Sequence, residues 1–514
     1  MVAVAPVQVA PRVGPRTSVA SRSGSLVSAL RETVDADLVA VPVRKTGDTV
    51  VADRHGDQVA AAYGVDLAAV IGAERVKGGA GQVVRVPVMA PSGLPQRFLL
   101  VGIGDGSPRD LRRAAAALSR SARGRSHVVT TLGDGSSVEG ARAVVEGFVL
   151  GGYTPPSAGL KPREDSSPAA QVTLVGSHPA TGLDRGRAHA RATVLARDLT
   201  ETPANLKNPD WFARQAADLG AAAGLDVRIW HEDQLADEGF GGVLAVGSGS
   251  ATPPRFVRID YRPEGVRDRR PVVLVGKGIT FDTGGISIKP RTSMVAMKSD
   301  MAGAAVVLAA LLACPEIGIR RPVTALLPLA ENAFGAGSYR PGDVVTTYGG
   351  QTVEILNTDA EGRMVLADGL AYAARHLDPE VIVDIATLTG AASLGLGRRH
   401  AALYSTTDRL AEALATAATG SGEQVWRMPL VDEYRSVLDS TVADIRHVTG
   451  PGAEISGGGS IAAALFLREF TAGARWAHLD IAGPARAERD EHEATRGATG
   501  FGTRLLLRWL EGLH

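Results

Sequence analysis

Cysteine is almost absent: Cys314 stands alone among 514 residues. One thiol forms no disulfide within the chain, and no thiolate cluster is available to hold zinc or an iron–sulfur centre. Any metal must therefore be held by oxygen or nitrogen. Excess charge of one sign is lacking too. The 55 Lys and Arg balance 55 Asp and Glu, for a net charge of +0. Such balance argues against a dedicated nucleic-acid or membrane-surface binder, although a local basic patch stays open. The longest apolar run, around Ala302–Ala313, falls short of the ~20 residues that cross a bilayer and is expected to end at Cys314-Pro315. A soluble, cytoplasmic protein is the expectation. Residues 1–31 contain no acid, and Pro6, Pro11 and Pro15 interrupt any apolar stretch there. A secretory signal needs a continuous apolar segment of about 7–15 residues, which is missing. Residues 1–25 therefore read as a disordered tail, with a targeting role the less favoured alternative.

A chain of 514 residues exceeds the roughly 250–300 at which single cores stop growing, so two domains are expected. From Leu26 onward strand-like and helical runs alternate, the mark of an α/β protein with a largely parallel sheet. The expected plan is a variable N-terminal α/β domain over 26–182, a linker helix over 183–199 and a C-terminal domain over 200–514. Each domain is expected to be a mixed or mostly parallel sheet flanked by helices. Arg97–Gly104 reads as a buried strand and Pro108–Ala122 as the helix after it. The turn between them spaces Gly102, Gly104 and Gly106 as G-x-G-x-G, not the G-x-G-x-x-G of a dinucleotide site, so a plain tight turn is the better reading. Prolines at 155, 156, 162 and 168 mark an exposed connection. In the C-terminal part, Pro271–Gly276, Val323–Ala330, Thr352–Asn357, Val381–Thr387 and Ala477–Ala482 read as strands covered on both faces.

Ligands of such sheets bind outside the carboxyl ends of the strands, and charged groups are concentrated there. Lys277, Asp282 and Lys289 lie in a Gly-rich loop after the first of these strands, Asp300 precedes an apolar helix, and Asp359, Glu361 and Arg363 follow Thr352–Leu356. Taken singly, each has an ordinary explanation. Asp300 and Asp359 stand where helix N-caps stand. Lys277 lacks the G-x-x-x-x-G-K frame and the following Ser or Thr of a phosphate loop, and Arg363 alone would be a surface charge. Together they resist that account, because burying several carboxylates near one another is costly unless cations compensate them. A pair of divalent ions would do so.

These stretches, GKGITFDTGGISIK (Gly276–Lys289), MKSDMAGAA (Met297–Ala305) and above all NTDAEGR (Asn357–Arg363), resemble the leucyl aminopeptidase family of metallopeptidases, also called cytosol aminopeptidases. TLTG (Thr387–Gly390) and HLDIAGP (His478–Pro484) extend the likeness. The resemblance runs from about Leu199 to the C-terminus and is not matched in residues 1–180. It implies one metal held by Lys277, Asp282, Asp300 and Glu361, and a second by Asp282, Asp359 and Glu361, with Asp282 and Glu361 bridging. It implies Lys289 as the group that stabilises the oxyanion, and Arg363 as the holder of a bicarbonate ion serving as base. Met297, Thr387 and Leu388 fall at positions resembling the lining of the pocket for the first residue of a peptide, with Met297 and Leu388 as ordinary core residues the less favoured alternative. Two divalent ions (Mn²⁺ or Zn²⁺, with Mg²⁺ also open), peptide substrates with a free N-terminus, a bias toward Leu and a homohexamer built as a dimer of trimers follow as expectations of the same kind.

An amine ligand must lose its proton to bind metal, which for a lysine of pKa ~10.4 costs roughly 4–5 kcal/mol near pH 7. Rival readings have less behind them. Another dinuclear hydrolase such as a phosphoesterase would use similar carboxylates, but the chain has no His-rich metal cluster, no HExxH and no G-x-S-x-G. A secondary DNA-binding or regulatory role through the N-terminal domain is the non-enzymatic alternative, suggested by the acid-free tail and opposed by neutral charge.

Overall fold

Val272–Gly276 is buried at every position, as expected of a Val- and Leu-rich strand covered on both faces. It lies at the centre of a nine-stranded mixed sheet, with Val323–Asn332 parallel on one side and Val381–Ala386 parallel on the other. Beyond Val381–Ala386 come Trp476–Asp480, parallel, then Ala401–Ser405, antiparallel, and Val425–Arg427. Beyond Val323–Asn332 come Arg255–Tyr261 and Asp226–Trp230, both antiparallel. The short strand Gly278–Asp282 pairs with the far end of Val323–Asn332, bringing Asp282 opposite Asn332. The computed structural model describes residues 17–33, 35–156, 167–266, 269–450 and 457–513.

Helix Ala302–Ile317 packs on this sheet with its first twelve residues buried except Leu312. Glycine permits the close approach: a Cβ on Gly303 would meet the Ile385 carbonyl oxygen at 2.1 Å. The helix does not stop at Cys314-Pro315 as expected. It carries Pro315 in its last turn and ends where Gly318, at φ +75°, forms a left-handed cap. With the preceding turn, Met297–Ile317 is long and apolar enough to cross a membrane by length and composition, and most of it is buried inside the fold. It is a core helix.

A second correction concerns Thr352–Asn357. Only Thr352–Glu354 is extended, and it belongs to a separate three-stranded sheet, antiparallel to Val344–Thr346 and parallel to Ile445–Arg446. The seven charged residues therefore do not all follow strands of one sheet.

The chain divides into two compact units, one of residues 195–486 with 498–513 and one of residues 17–194 with 487–497. Helix Ala180–Glu201 covers the segment 183–199 expected to be a linker helix, and the division falls within it. The expectation that 200–514 is one continuous domain is corrected by Ala487–Gly497, which the other unit holds through Arg120 donating to the His492 carbonyl and Arg123 paired with Asp490 at 3.4 Å. That other unit has a seven-stranded, mostly parallel sheet flanked by helices. The tail expected to be disordered over 1–25 is ordered in its second part. Ser18–Arg22 pairs in parallel with Gln171–Val175, and Ser25 caps helix Leu26–Glu32; residues 1–16 lie outside the described residues. In the glycine-rich turn, Gly102 permits a close backbone approach, since a Cβ there would meet the Gly79 carbonyl oxygen at 2.1 Å.

Candidate metal centre

Lys277 follows directly on the central strand and is pinned by its backbone. Its N–H donates to the Ile385 carbonyl at 3.1 Å, and its own carbonyl accepts from Ala304 at 2.9 Å. The side chain then runs into the fold, 2% exposed. Its Nζ lies 2.9 Å from Asp300 and 2.9 Å from Glu361 Oε1, and donates to the Thr387 carbonyl at 3.0 Å. Gly362 makes room for it, because a Cβ there would stand 2.5 Å from Lys277 Cε. The Thr387 hydroxyl donates to Asp300 Oδ1 at 2.7 Å.

Asp282 ends the strand Gly278–Asp282. Its Oδ1 accepts from the Gly284 N–H and from Asn332 Nδ2, both at 2.8 Å, which leaves Oδ2 to pair with Lys289 at 2.7 Å. Lys289 also pairs with Asp359 Oδ1 at 2.5 Å. Two left-handed glycines turn the intervening loop, Gly284 at φ +86° and Gly285 at φ +62°. Thr358 clasps that loop to the Asn357–Arg363 segment. Its hydroxyl donates to the Gly284 carbonyl at 2.7 Å and accepts from Ser287 N–H at 2.8 Å. Its carbonyl accepts from Asn332 Nδ2 at 3.0 Å and from the Tyr339 hydroxyl at 3.1 Å.

Oxygens of Asp282, Asp359 and Glu361 come within 4.8 Å of one another, and Asp300 adjoins them through Lys277. Four carboxylates thus surround two ammonium groups. Burial, with Glu361 nearby, pushes Asp282 up to about 7. Burial also raises Asp300 and Asp359. Burial alone would raise Glu361, but Lys277 and Lys289 hold it below the ordinary glutamate value. For the two lysines burial is outweighed by the carboxylates, and both stand above the usual range. Glu361 Oε2 has no hydrogen-bond partner among the described residues. A buried, oxygen-rich cluster with negative charge in excess and an unpartnered carboxylate oxygen fits divalent cations.

Arg363, in the first turn of helix Gly362–His376, is buried; its Nη1 donates to the His447 carbonyl at 2.7 Å, and its Nε has no hydrogen-bond partner among the described residues. Burial brings its pKa down to about 10, against the pull of Glu361 and Asp480. Met297 and Leu388 are half-buried. The Met297 carbonyl accepts from Asp300 N–H at 3.2 Å, and Leu388, packed against the core, donates its N–H to Asp480 at 3.1 Å. The structure thus gathers Lys277, Asp300, Glu361 and Thr387 at one point, and Asp282, Lys289 and Asp359 beside it.

Several participants escaped the sequence reading. Asn332 orients both Asp282 and Thr358; its signal was a polar residue at the carboxyl end of a strand taken to stop at Ala330. Asp480 fixes the loop after Val381–Ala386 through Leu388 and Thr389. Tyr339 and His447 carried no local signal.

A model of the catalytic domain of the cytosol aminopeptidase family matches residues 194–507, and a model of that family's N-terminal domain matches residues 40–155. A probable cytosol aminopeptidase of Nocardia farcinica is 41% identical over 515 aligned residues, covering 97% of this chain and 99% of that one. Among solved structures, the bottromycin maturation enzyme BotP in complex with Mn superposes with a TM-score of 0.80 at 39% identity, covering 92% of this chain and 99% of that one. A K354E mutant of tomato leucine aminopeptidase superposes with a TM-score of 0.83 at 29% identity, covering 97% of each.

Proposed function

This chain belongs to the cytosol aminopeptidase family, a metal-dependent aminopeptidase acting on peptides, and from that premise we propose that it removes N-terminal residues, with Leu preferred, at the Lys277–Asp300–Glu361 cluster. The observation that carries this reading is the convergence of Asp282, Asp300, Asp359 and Glu361 on Lys277 and Lys289. Lys277, Asp282, Asp300 and Glu361 would hold one divalent ion, and Asp282, Asp359 and Glu361 the other. When bound, the ions supply Lewis acidity toward the scissile carbonyl and lower the pKa of water toward neutrality.

The chain's own groups do the rest. Lys289 presents an ammonium beside Asp282 and Asp359 and stabilises negative charge as it grows on the carbonyl oxygen. Arg363, with its unpartnered Nε, holds bicarbonate, whose planar oxygens suit a guanidinium fork better than an ammonium. The substrate's amino group takes the Lys277 and Asp300 side, so an interior peptide bond cannot adopt the same register. Met297, Thr387 and Leu388 border the first side chain, and Thr387 also holds Asp300 through its hydroxyl. An apolar pocket separates substrates by only about 1–3 kcal/mol per methylene, so specificity is broad.

Mn²⁺ is the favoured ion because the similar BotP was solved with Mn; Zn²⁺ and Mg²⁺ suit the same donors. The cytoplasm is the proposed compartment and a homohexamer, two stacked trimers, the proposed assembly. Metal analysis of the purified chain, with hydrolysis of leucine p-nitroanilide and p-nitrophenyl phosphate under defined Mn²⁺ and Zn²⁺, tests the reading. It expects divalent ions bound and the anilide cleaved; phosphate ester cleavage alone, or full activity after exhaustive chelation, overturns it.

A further inference from the structure

Lys207 is fully buried, yet no ion pair to a carboxylate is found for it among the described residues. Its Nζ donates to the carbonyls of Thr200 at 2.7 Å and Lys298 at 2.6 Å, and to the Met301 sulfur at 3.1 Å. Burying an amine with no carboxylate at ion-pair distance is costly, even with Glu201 acting on it from farther off, and an apolar side chain of similar length would fill the same space. What the amine adds is placement. Two of its three acceptors bracket Asp300: Lys298 stands two residues before it and Met301 directly after. The third, Thr200, is in the last turn of helix Ala180–Glu201. A second tie runs in parallel, since Lys298 Nζ donates to the Glu201 carbonyl at 2.8 Å and pairs with Glu201 Oε2 at 2.7 Å. The turn Met297–Ser299 and the residue it delivers are thereby stapled to a helix end.

We propose that Lys207 is a positioning residue for Asp300, setting the affinity of the metal position that Asp300 shares with Lys277 without itself touching the ion. The proposal rests on the metal reading given above. Groups that orient a ligand from behind change metal affinity by about 10–100-fold when removed. Lys207 does so through the Lys298 carbonyl and the Met301 sulfur on either side of the ligand, instead of through the ligand's side chain, which Lys277 and Thr387 already hold.

The test is Mn²⁺ titration of the metal-stripped full chain, followed by calorimetry and by elemental analysis, in wild type, Lys207→Met and Lys207→Gln. Leu414→Ala, a cavity in the distant helix Asp408–Ser421, serves as a control for general destabilisation. In Lys207→Met one ion binds as in wild type and the other at least about 10-fold more weakly. Excess Mn²⁺ restores kcat, and KM for the peptide changes little. Lys207→Gln, which keeps a donor on a shorter arm, weakens the same ion less and covers the case in which the methionine variant does not fold. Unchanged affinity for both ions in either folded variant, or an equal loss in Leu414→Ala, overturns the proposal while leaving the metal reading intact. Failure of the wild type to bind any divalent ion overturns both.

Discussion

Asp480 Oδ2 accepts two hydrogen bonds from Thr389, one from its backbone N–H at 3.0 Å and one from its hydroxyl at 2.6 Å. Oδ1 accepts from Leu388 and Ala482 N–H, each at 3.1 Å. One buried carboxylate thus sets the loop whose first residue, Thr387, bonds both Lys277 and Asp300. Asp480→Asn turns one acceptor into a donor facing N–H groups, at about 1–3 kcal/mol. The expected outcome is a fall in kcat/KM of about 10-fold or more, read by steady-state kinetics on leucine p-nitroanilide. A variant within about twofold of wild type would show the loop to be held by other means.

Lys277→Ala removes the nitrogen that lies 2.9 Å from both Asp300 and Glu361. One ligand of that metal position is then gone. Elemental analysis should find the ion of that position lost or exchangeable while its neighbour is kept. Two tightly held ions in the variant would refute the assignment of Lys277.

Lys289→Ala separates catalysis from binding. Taking a positive charge from beside Asp282 and Asp359 leaves the cluster more negative, so divalent ions should bind no more weakly than before. If Lys289 stabilises developing charge, kcat still falls by about 10²–10³-fold. Loss of metal together with activity would instead make Lys289 a structural counter-ion.

Lys277, Glu361 and Arg363 were legible because each stands beside a glycine, and Asp300 because it comes just before a helix start, while Asp282, Lys289 and Asp359 were legible through the loops that carry them. Gly284, Gly285 and Gly362 are needed for the turn and for the space around Lys277. Residues that act through long-range pairing were not. Ser18–Arg22 has too little apolar character to announce a strand, and its order comes from Gln171–Val175, far along the chain. Thr352–Glu354 looked like part of the main sheet because periodicity does not say which partner a short strand takes. Pro315 suggested a stop, but a proline in the last turn leaves the earlier turns' hydrogen bonds intact, and Gly318 supplies the real one.

His447 gives the fold a pH dependence of its own. Burial, and then the positive charge of Arg363, push its pKa down to about 4, below the ~6.5 of an unfolded chain. The folded state therefore favours the neutral ring, with Nε2 2.8 Å from the Asn357 carbonyl. Stability from this group is complete above about pH 6.5 and is lost as pH falls through about 4, on the order of 3 kcal/mol in all. Thermal melts of wild type and His447→Gln should diverge at pH 7 and converge toward pH 4. Parallel curves across that range would place the titration elsewhere.

Arg363 offers the sharpest separation of charge from shape. Its guanidinium is buried, with Nη1 committed to the His447 carbonyl at 2.7 Å, and its Nε has no hydrogen-bond partner among the described residues. Arg363→Lys keeps the charge but loses the planar fork, so a role in holding a planar anion predicts nearly as large a loss of kcat as in Arg363→Ala. A role as a simple counter-charge to Glu361 predicts that the lysine variant stays close to wild type. Added bicarbonate divides the cases further: it should partly restore Arg363→Ala, because the anion can still enter at higher concentration, and should leave Lys289→Ala unchanged. Full activity of Arg363→Ala in carbonate-free buffer would remove the anion from the mechanism and leave proton transfer to a group elsewhere in the site.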